Sequence, residues 1–204
     1  MLNFTFYSPT KFVFGKGEEK NIGKLLAERG TKKVLLHYGG QSAEKSGLLG
    51  RVRTSLDSAG IAYVELGGVH PNPRYSLAKE GMELARKENV DLILAVGGGS
   101  VVDSSKCIAI GALYDGDVWQ DFYMDKKEIT TALPVACILT IAAAGSEGSP
   151  GTVISNREVG IKEGVRASDL LRPVLSILNP ELTMTLPAYQ TACGVTDMFI
   201  HLIE

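Results

Sequence analysis

Short apolar runs alternate with amphipathic stretches along the first half of the chain. Residues 4–7 and 12–14 read as two short strands split by Ser8-Pro9-Thr10, a β-hairpin-like start. Residues 17–29 read as a helix, with Ile22, Leu25 and Leu26 at helical spacing and Gly30 as its stop. An apolar run at 34–38 ends in Gly39-Gly40. A helix over 42–59 follows, with Leu48, Leu49, Val52 and Leu56 on one face and Gly60 behind it. A strand at 61–66, a helix at 75–88, a strand at 92–96 and a helix at 101–113 complete a β-α-β-α-β-α series. These strands are apolar throughout rather than alternating, which predicts burial on both faces and a parallel sheet.

The second half is less regular. Residues 135–140, 152–155 and 174–178 read as strands, and 115–130 and 156–170 as polar connections. A last helix opens near Pro187, since proline suits a first helical turn. It runs to Glu204 with Val195, Met198, Phe199 and Leu202 on one face. That face belongs either to a domain cut short or to a final helix docked on the sheet, and the pattern leaves both open.

Composition narrows the function classes. The 204 residues are 45% hydrophobic and 22% charged, the profile of a globular domain rather than a disordered chain. A net charge of −2 without a dense Lys/Arg cluster argues against a nucleic-acid partner. No apolar run reaches the roughly 18 residues of a membrane span, and the start lacks the basic and apolar regions of a signal peptide. Cys107, Cys137 and Cys193 are unevenly spaced in apolar sequence and read as reduced, buried thiols. A cytoplasmic protein with no membrane partner is expected.

Ligands of open parallel sheets bind beyond the carboxyl ends of the strands, and three such ends here carry glycines. The sharpest is Gly97-Gly98-Gly99-Ser100. Glycines there allow positive φ and close backbone approach, and the helix that follows aims its free N–H groups and dipole at the same point. The plainer reading is a tight turn with Ser100 as N-cap; it is not the G-x-G-x-x-G fingerprint. Asp103 lies in the first turns of that helix. Lys106, one turn on, is either a solvated surface residue or a phosphate neighbour. After the second strand, Gly39-Gly40-Gln41-Ser42 has no acid before Glu44. A carboxylate at this place favours the ribose hydroxyl of NAD; small residues and a serine tilt the reading toward NADP, with Lys45 the nearest cation. Asp197 and His201 stand i, i+4 on the last helix, so a carboxylate and an imidazole share one face. They could hold a divalent cation or form a surface pair. His37 and His70, in the sheet half, are poor candidates to complete a metal site.

Several ordered motifs together resemble a known family. Residues 97–106 resemble a GGGS-x-x-D-x-x-K pattern, and Ala144-Gly145-Ser146-Glu147 a TGSE segment. Asn179-Pro180, Leu186-Pro187 and the run from Gly194 to His201 resemble the entrance to a metal-binding helical domain. Phe4, Pro9-Thr10-Lys11 and Phe14-Gly15-Lys16-Gly17 are similar as well. The family is that of the iron-containing (group III) alcohol dehydrogenases, in particular the NADPH-dependent butanol dehydrogenase or aldehyde reductase branch. The resemblance spans essentially the whole chain.

It implies a Rossmann-like dinucleotide-binding domain over residues 1–182 and, from 183 to 204, the start of an all-helical metal-binding domain, truncated here. Gly39, Gly40 and Ser42 would surround the 2′-phosphate of NADP(H), the cofactor preferred over NAD(H). Gly97, Gly98 and Ser100 would hold the diphosphate, with Asp103 near the nicotinamide amide. Thr140 and Lys162 would contact the cofactor, and Asn72 would border the cleft. Asp197 and His201 would be the first two of four ligands to iron or zinc. Ala142 and Ala144 stand where the family shows Pro and Thr, which removes one hydroxyl facing the cofactor. The implied reaction is hydride transfer between NADP(H) and a primary alcohol or aldehyde, assisted by a Lewis-acidic metal with no catalytic side chain. The 204 residues alone are expected to be inactive or weakly active, and the resemblance implies a homodimer. Two alternatives are a stand-alone nucleotide-binding module and a dehydroquinate synthase-like lyase.

Overall fold

A computed structural model describes residues 3 and 7–203. Six parallel strands form the central sheet: β1 (Lys11–Phe14), β2 (Lys33–Tyr38), β3 (Ala62–Leu66), β4 (Leu92–Gly97), β5 (Val135–Leu139) and β8 (Leu175–Leu178). Their order across the sheet is β1-β8-β5-β4-β2-β3. A separate antiparallel ribbon pairs β6 (Val153–Asn156) with β7 (Ile161–Gly164). The strand expected at 4–7 lies largely outside the described residues, and so does the hairpin it would form with β1.

Side-chain alternation along the strands builds two cores, one on each face. Leu35, Ile93 and Val135 face α4 (Tyr75–Lys87) and α5 (Gly99–Ala112). Val34, Leu36, Leu92, Leu94, Ala136 and Ile138 face α1 (Ile22–Ala27) and α3 (Leu48–Ser58). In α4 the buried Tyr75, Ala78, Met82 and Ala85 recur at helical spacing. α5 is buried nearly all round, because β6 and the loop before it cover the side that the sheet and α4 leave open. On the other face α1 lies close on α3. A Cβ on Gly23 would stand 2.0 Å from the Ser55 carbonyl oxygen, and the Gly23 N–H instead donates to Ser55 Oγ at 3.0 Å.

The structure departs from the sequence reading in four places. The helix expected over 42–59 is two, α2 (Ser42–Lys45) and α3, separated where Gly47 takes φ 71°. Only glycine adopts that conformation readily. The connection at 115–130 contains a wide helical turn, Trp119–Met124, whose Trp119, Phe122 and Tyr123 are buried. Trp119 stacks on Tyr123 at 5.0 Å, and aromatic stacking within one turn carries no helical period. The connection at 156–170 contains β7, so the strand expected at 152–155 belongs to the ribbon and not to the main sheet. Cys107 and Cys137 are buried thiols, but Cys193 is exposed on α6 (Ala188–Ile203). α6 buries only Gly194, where a Cβ would meet the Ala142 carbonyl oxygen at 2.6 Å. Val195, Met198, Phe199 and Leu202 are left exposed.

Candidate active site

The carboxyl ends of five strands open on one cleft of about 960 Å³. Lys16 follows β1, Asn179 follows β8, Thr140 follows β5, Gly97 and Gly98 end β4, and Gly39 follows β2. Ser42 and Ser46 form one side, and Leu186 with Pro187, ahead of α6, the other. Taken in chain order, β2, β3, β4, β5 and β8 are arranged 2-1-3-4-5 across the sheet. The direction of winding reverses between β2 and β4, the position at which doubly wound sheets bind ligands. Gly39 and Gly97 flank that point.

The Gly97-Gly98-Gly99 turn is shaped by space and not by φ. None of the three has positive φ, contrary to the expectation from sequence. A Cβ on Gly97 would lie 2.5 Å from Val101 Cγ2, and one on Gly98 would lie 2.4 Å from Ile141 Cγ2. Gly98, not Ser100, is the N-cap of α5, with extended backbone; Ser100 lies inside the first turn. The Val101 and Val102 amides donate to the Gly98 carbonyl, which leaves the Gly99 and Ser100 amides without an intrahelical acceptor, at the end of the helix dipole that favours an anion.

Of the residues singled out in the sequence, Gly39, Ser42, Gly97, Gly98 and Thr140 line the cleft, while Gly40, Asn72, Ser100, Asp103 and Lys162 do not. Asn72 and Lys162 meet each other, Lys162 Nζ donating to Asn72 Oδ1 at 2.7 Å. Asp103 is tied down by protein. Ser146 Oγ donates to its Oδ1 at 2.5 Å and the Val153 amide to its Oδ2 at 3.0 Å. Burial pushes the Asp103 pKa up, opposed by those hydrogen bonds and by the Lys106 and Lys162 charges. Lys106 is neither solvated nor a phosphate neighbour: it is fully buried, and its ammonium is enclosed by loop oxygens. Sequence gave no hint of this, because the oxygens come from residues far along the chain.

The rim charges differ from the sequence picture as well. Glu44, which could repel a phosphate, is gripped by both terminal nitrogens of Arg53 at 2.9 Å, and Arg53 also holds Glu65. Neither Glu44 nor Arg53 lines the cleft, whereas Lys16, Lys20 and Arg51 do. Arg51 was missed in the sequence; it lies nine positions beyond Ser42, on a helix whose start the unbroken 42–59 pattern concealed. Its Nε donates to Glu19 Oε1 at 2.8 Å, and Asn179 Nδ2 donates to Glu19 Oε2 at 2.8 Å. The nearly buried Glu19 thereby joins α3 to the end of β8.

On α6, Asp197 Oδ1 and His201 Nε2 stand 3.8 Å apart, both about half exposed. An oxygen and an imidazole nitrogen one turn apart suit a divalent metal. Among the described residues no group of three or more His, Cys, Asp or Glu is placed to hold one. His37 is enclosed inside β2 by hydrogen bonds at both ring nitrogens, so it is no ligand.

A parallel sheet with a ligand cleft at its switch point defines a Rossmann-like nucleotide-binding fold. The family model for iron-containing alcohol dehydrogenases matches residues 9–180, and the chain belongs to that family. It is 47% identical over 204 residues to NADH-dependent butanol dehydrogenase A of Clostridium acetobutylicum, covering all of this chain and 52% of the relative. It is 39% identical over 206 residues to the NADPH-dependent aldehyde reductase YqhD of Escherichia coli, with the same coverage. The crystal structure of NADH-dependent butanol dehydrogenase A from Thermotoga maritima superposes with a TM-score of 0.95 at 46% identity, over 99% of this chain and 50% of that one. The chain spans about half the length of the curated relatives it matches. No helix among the described residues is long and apolar enough to cross a membrane.

Proposed function

We propose that this chain carries the cofactor-binding half of a metal-dependent alcohol dehydrogenase or aldehyde reductase. Its substrate would be a primary alcohol or aldehyde, the class named in the butanol dehydrogenase and aldehyde reductase relatives. Residues 1–182 are the dinucleotide-binding domain, and 183–204 begin the helical metal-binding domain. The observation that carries this reading is the cleft at the β2/β4 switch point, lined by Gly97 and Gly98 at the start of α5, where a helix N-terminus suits a diphosphate.

Each residue then has a task. The Gly97-Gly98 backbone and the first turn of α5 bind the diphosphate, and Thr140 contacts the cofactor from the end of β5. Asp103, with Asn72 and Lys162 beside it, orients the nicotinamide end. Gly39, Gly40 and Ser42 take the adenosine ribose. The preference for NADP(H) over NAD(H) draws support from the rim: Glu44 is held away by Arg53, while Lys20 and Arg51 face the cleft. The relatives divide on this point, one being named for NADH and one for NADPH. When bound, the nicotinamide supplies hydride transfer and an iron or zinc ion supplies Lewis acidity. Asp197 and His201 fit as two donors to that metal. Two donors fall short of the three or four protein ligands such metals commonly take, so the 204 residues alone turn over weakly or not at all. The working enzyme is a cytoplasmic homodimer.

Titration of the purified chain with NADPH and NADH, followed by nicotinamide fluorescence, tests the reading. Saturable binding of both, tighter for NADPH, is expected. Tighter NADH binding overturns the NADP preference, and binding of neither overturns the assignment. Metal-dependent reduction of butanal by this chain would overturn the expectation of weak turnover.

A further inference from the structure

Lys106 is a charged group buried without a carboxylate against it. It is fully buried on α5, and among the described residues no acid stands within ion-pair distance of its Nζ. The ammonium donates instead to three main-chain carbonyls, Ser146 at 2.8 Å, Ser149 at 2.9 Å and Gly151 at 2.9 Å, and stands 3.3 Å from Ser146 Oγ. Three donors meet three acceptors, an oxygen shell of the kind that encloses a small monovalent cation. Burying an ammonium is costly unless strong hydrogen bonds compensate. A hydrocarbon side chain would avoid that cost but leave the three carbonyls without their donor, so the charge answers to what it holds.

What it holds is the segment that also grips Asp103. Ser146 offers its carbonyl to Lys106 and donates its hydroxyl to Asp103 Oδ1. Thr152 Oγ1 donates to the Asp103 carbonyl at 2.7 Å, and the Val153 amide donates to Oδ2. Asp103 and Lys106 are neighbours on one turn of α5, and together they clasp residues 146–153 from one side.

We propose that Lys106 is a positioning residue whose ammonium stands in for a bound monovalent cation. It folds residues 146–151 into a cage that turns the Ser146 hydroxyl onto Asp103, and so fixes the carboxylate that orients the nicotinamide end of the cofactor. The inference rests on the dinucleotide reading of the cleft.

The test compares NADPH with 2′-phospho-ADP-ribose, which keeps the adenosine, ribose and diphosphate but lacks the nicotinamide. Lys106→Met keeps the bulk of the side chain and removes the charge. We expect it to weaken NADPH binding about tenfold and to change 2′-phospho-ADP-ribose binding less than twofold. Asp103→Ala should give the same pattern, and the double variant no further loss, since the two residues act in series. Equal losses for both ligands, or no loss for either, overturn the role of Lys106. If the unaltered chain binds neither ligand, the dinucleotide reading itself fails and takes the inference with it. Should Lys106→Met not fold, Lys106→Ala is measured with and without n-propylammonium, which replaces the missing atoms. Recovery of folding and of NADPH binding by propylammonium, and not by 1-propanol, supports the cation role; recovery by both or by neither overturns it.

Discussion

Acid should unfold this protein partly through one histidine. His37 lies inside β2, fully buried. Its Nδ1 is 2.7 Å from the Leu66 carbonyl, which can only accept, so the proton sits on Nδ1. Nε2 then accepts from Ser104 Oγ on α5 at 2.8 Å. Burial pushes the pKa down to about 4 from 6.5, opposed by the Leu66 hydrogen bond. Between those two values the unfolded chain binds the proton and the folded chain does not. Stability therefore falls as the pH falls through this interval. At about 1.4 kcal/mol per pH unit, the full interval corresponds to about 3 kcal/mol, of which about 2 kcal/mol is lost by pH 5. Glu19, Glu65 and Asp121 have pKa values held below the ordinary carboxylate range, so their losses fall mainly below pH 5. Asp103, whose pKa burial raises, contributes with the opposite sign, so the part due to His37 is the difference in slope between the unaltered protein and His37→Asn. Urea unfolding at steps from pH 7.5 to 4.5 measures the slope. In His37→Asn, which cannot titrate, the slope between pH 6.5 and 5 should flatten although the variant starts out less stable. Imidazole NMR on the three histidines should show one ring with no titration above pH 5. A His37 ring that titrates near 6.5, or an unchanged slope in His37→Asn, would refute the reasoning.

The sheet was legible because a parallel strand declares itself by composition alone. β4 is apolar at every position and is buried at every position, so a local run of residues carries the whole message. The amphipathic α3 and α4 declare themselves by period in the same way, and the glycines after β2 and β4 mark where a ligand would lie. What stayed hidden depends on distant partners. Lys106 has the sequence context of a surface lysine; its burial is decided by carbonyls 40 to 45 residues further on. Arg51 faces the cleft because Glu19, 32 residues earlier, draws it there. β7 is short and half polar, and it becomes a strand only by pairing with β6. The place of Asp103 in the helix was legible, but not the Ser146 hydroxyl and Val153 amide that fix its two oxygens from 43 and 50 residues further on.

Gly23→Ala should cost about 3 kcal/mol in urea unfolding, because its methyl would meet a backbone oxygen at 2.0 Å and α1 must shift off α3; a loss below about 0.5 kcal/mol would mean the two helices are not packed this closely. Glu19→Ala should cost about 2 to 3 kcal/mol, since it strands the Asn179 amide and the Arg51 guanidinium together. Glu19→Gln, which still accepts hydrogen bonds, should lose less. Gly98→Ala separates folding from binding. The clash it creates, 2.4 Å from Ile141 Cγ2, is with a branch methyl next to the backbone, which clears it by a χ1 change or a small shift of the loop after β5, so thermal unfolding should shift by several degrees while the variant stays folded at about 25 °C. At the turn the same methyl, or the displaced Ile141, takes up room beside the first amides of α5. Affinity for a dinucleotide should fall at least tenfold in a fluorescence titration, whereas a variant that binds as tightly as the unaltered chain would place the diphosphate somewhere other than the β4–α5 turn.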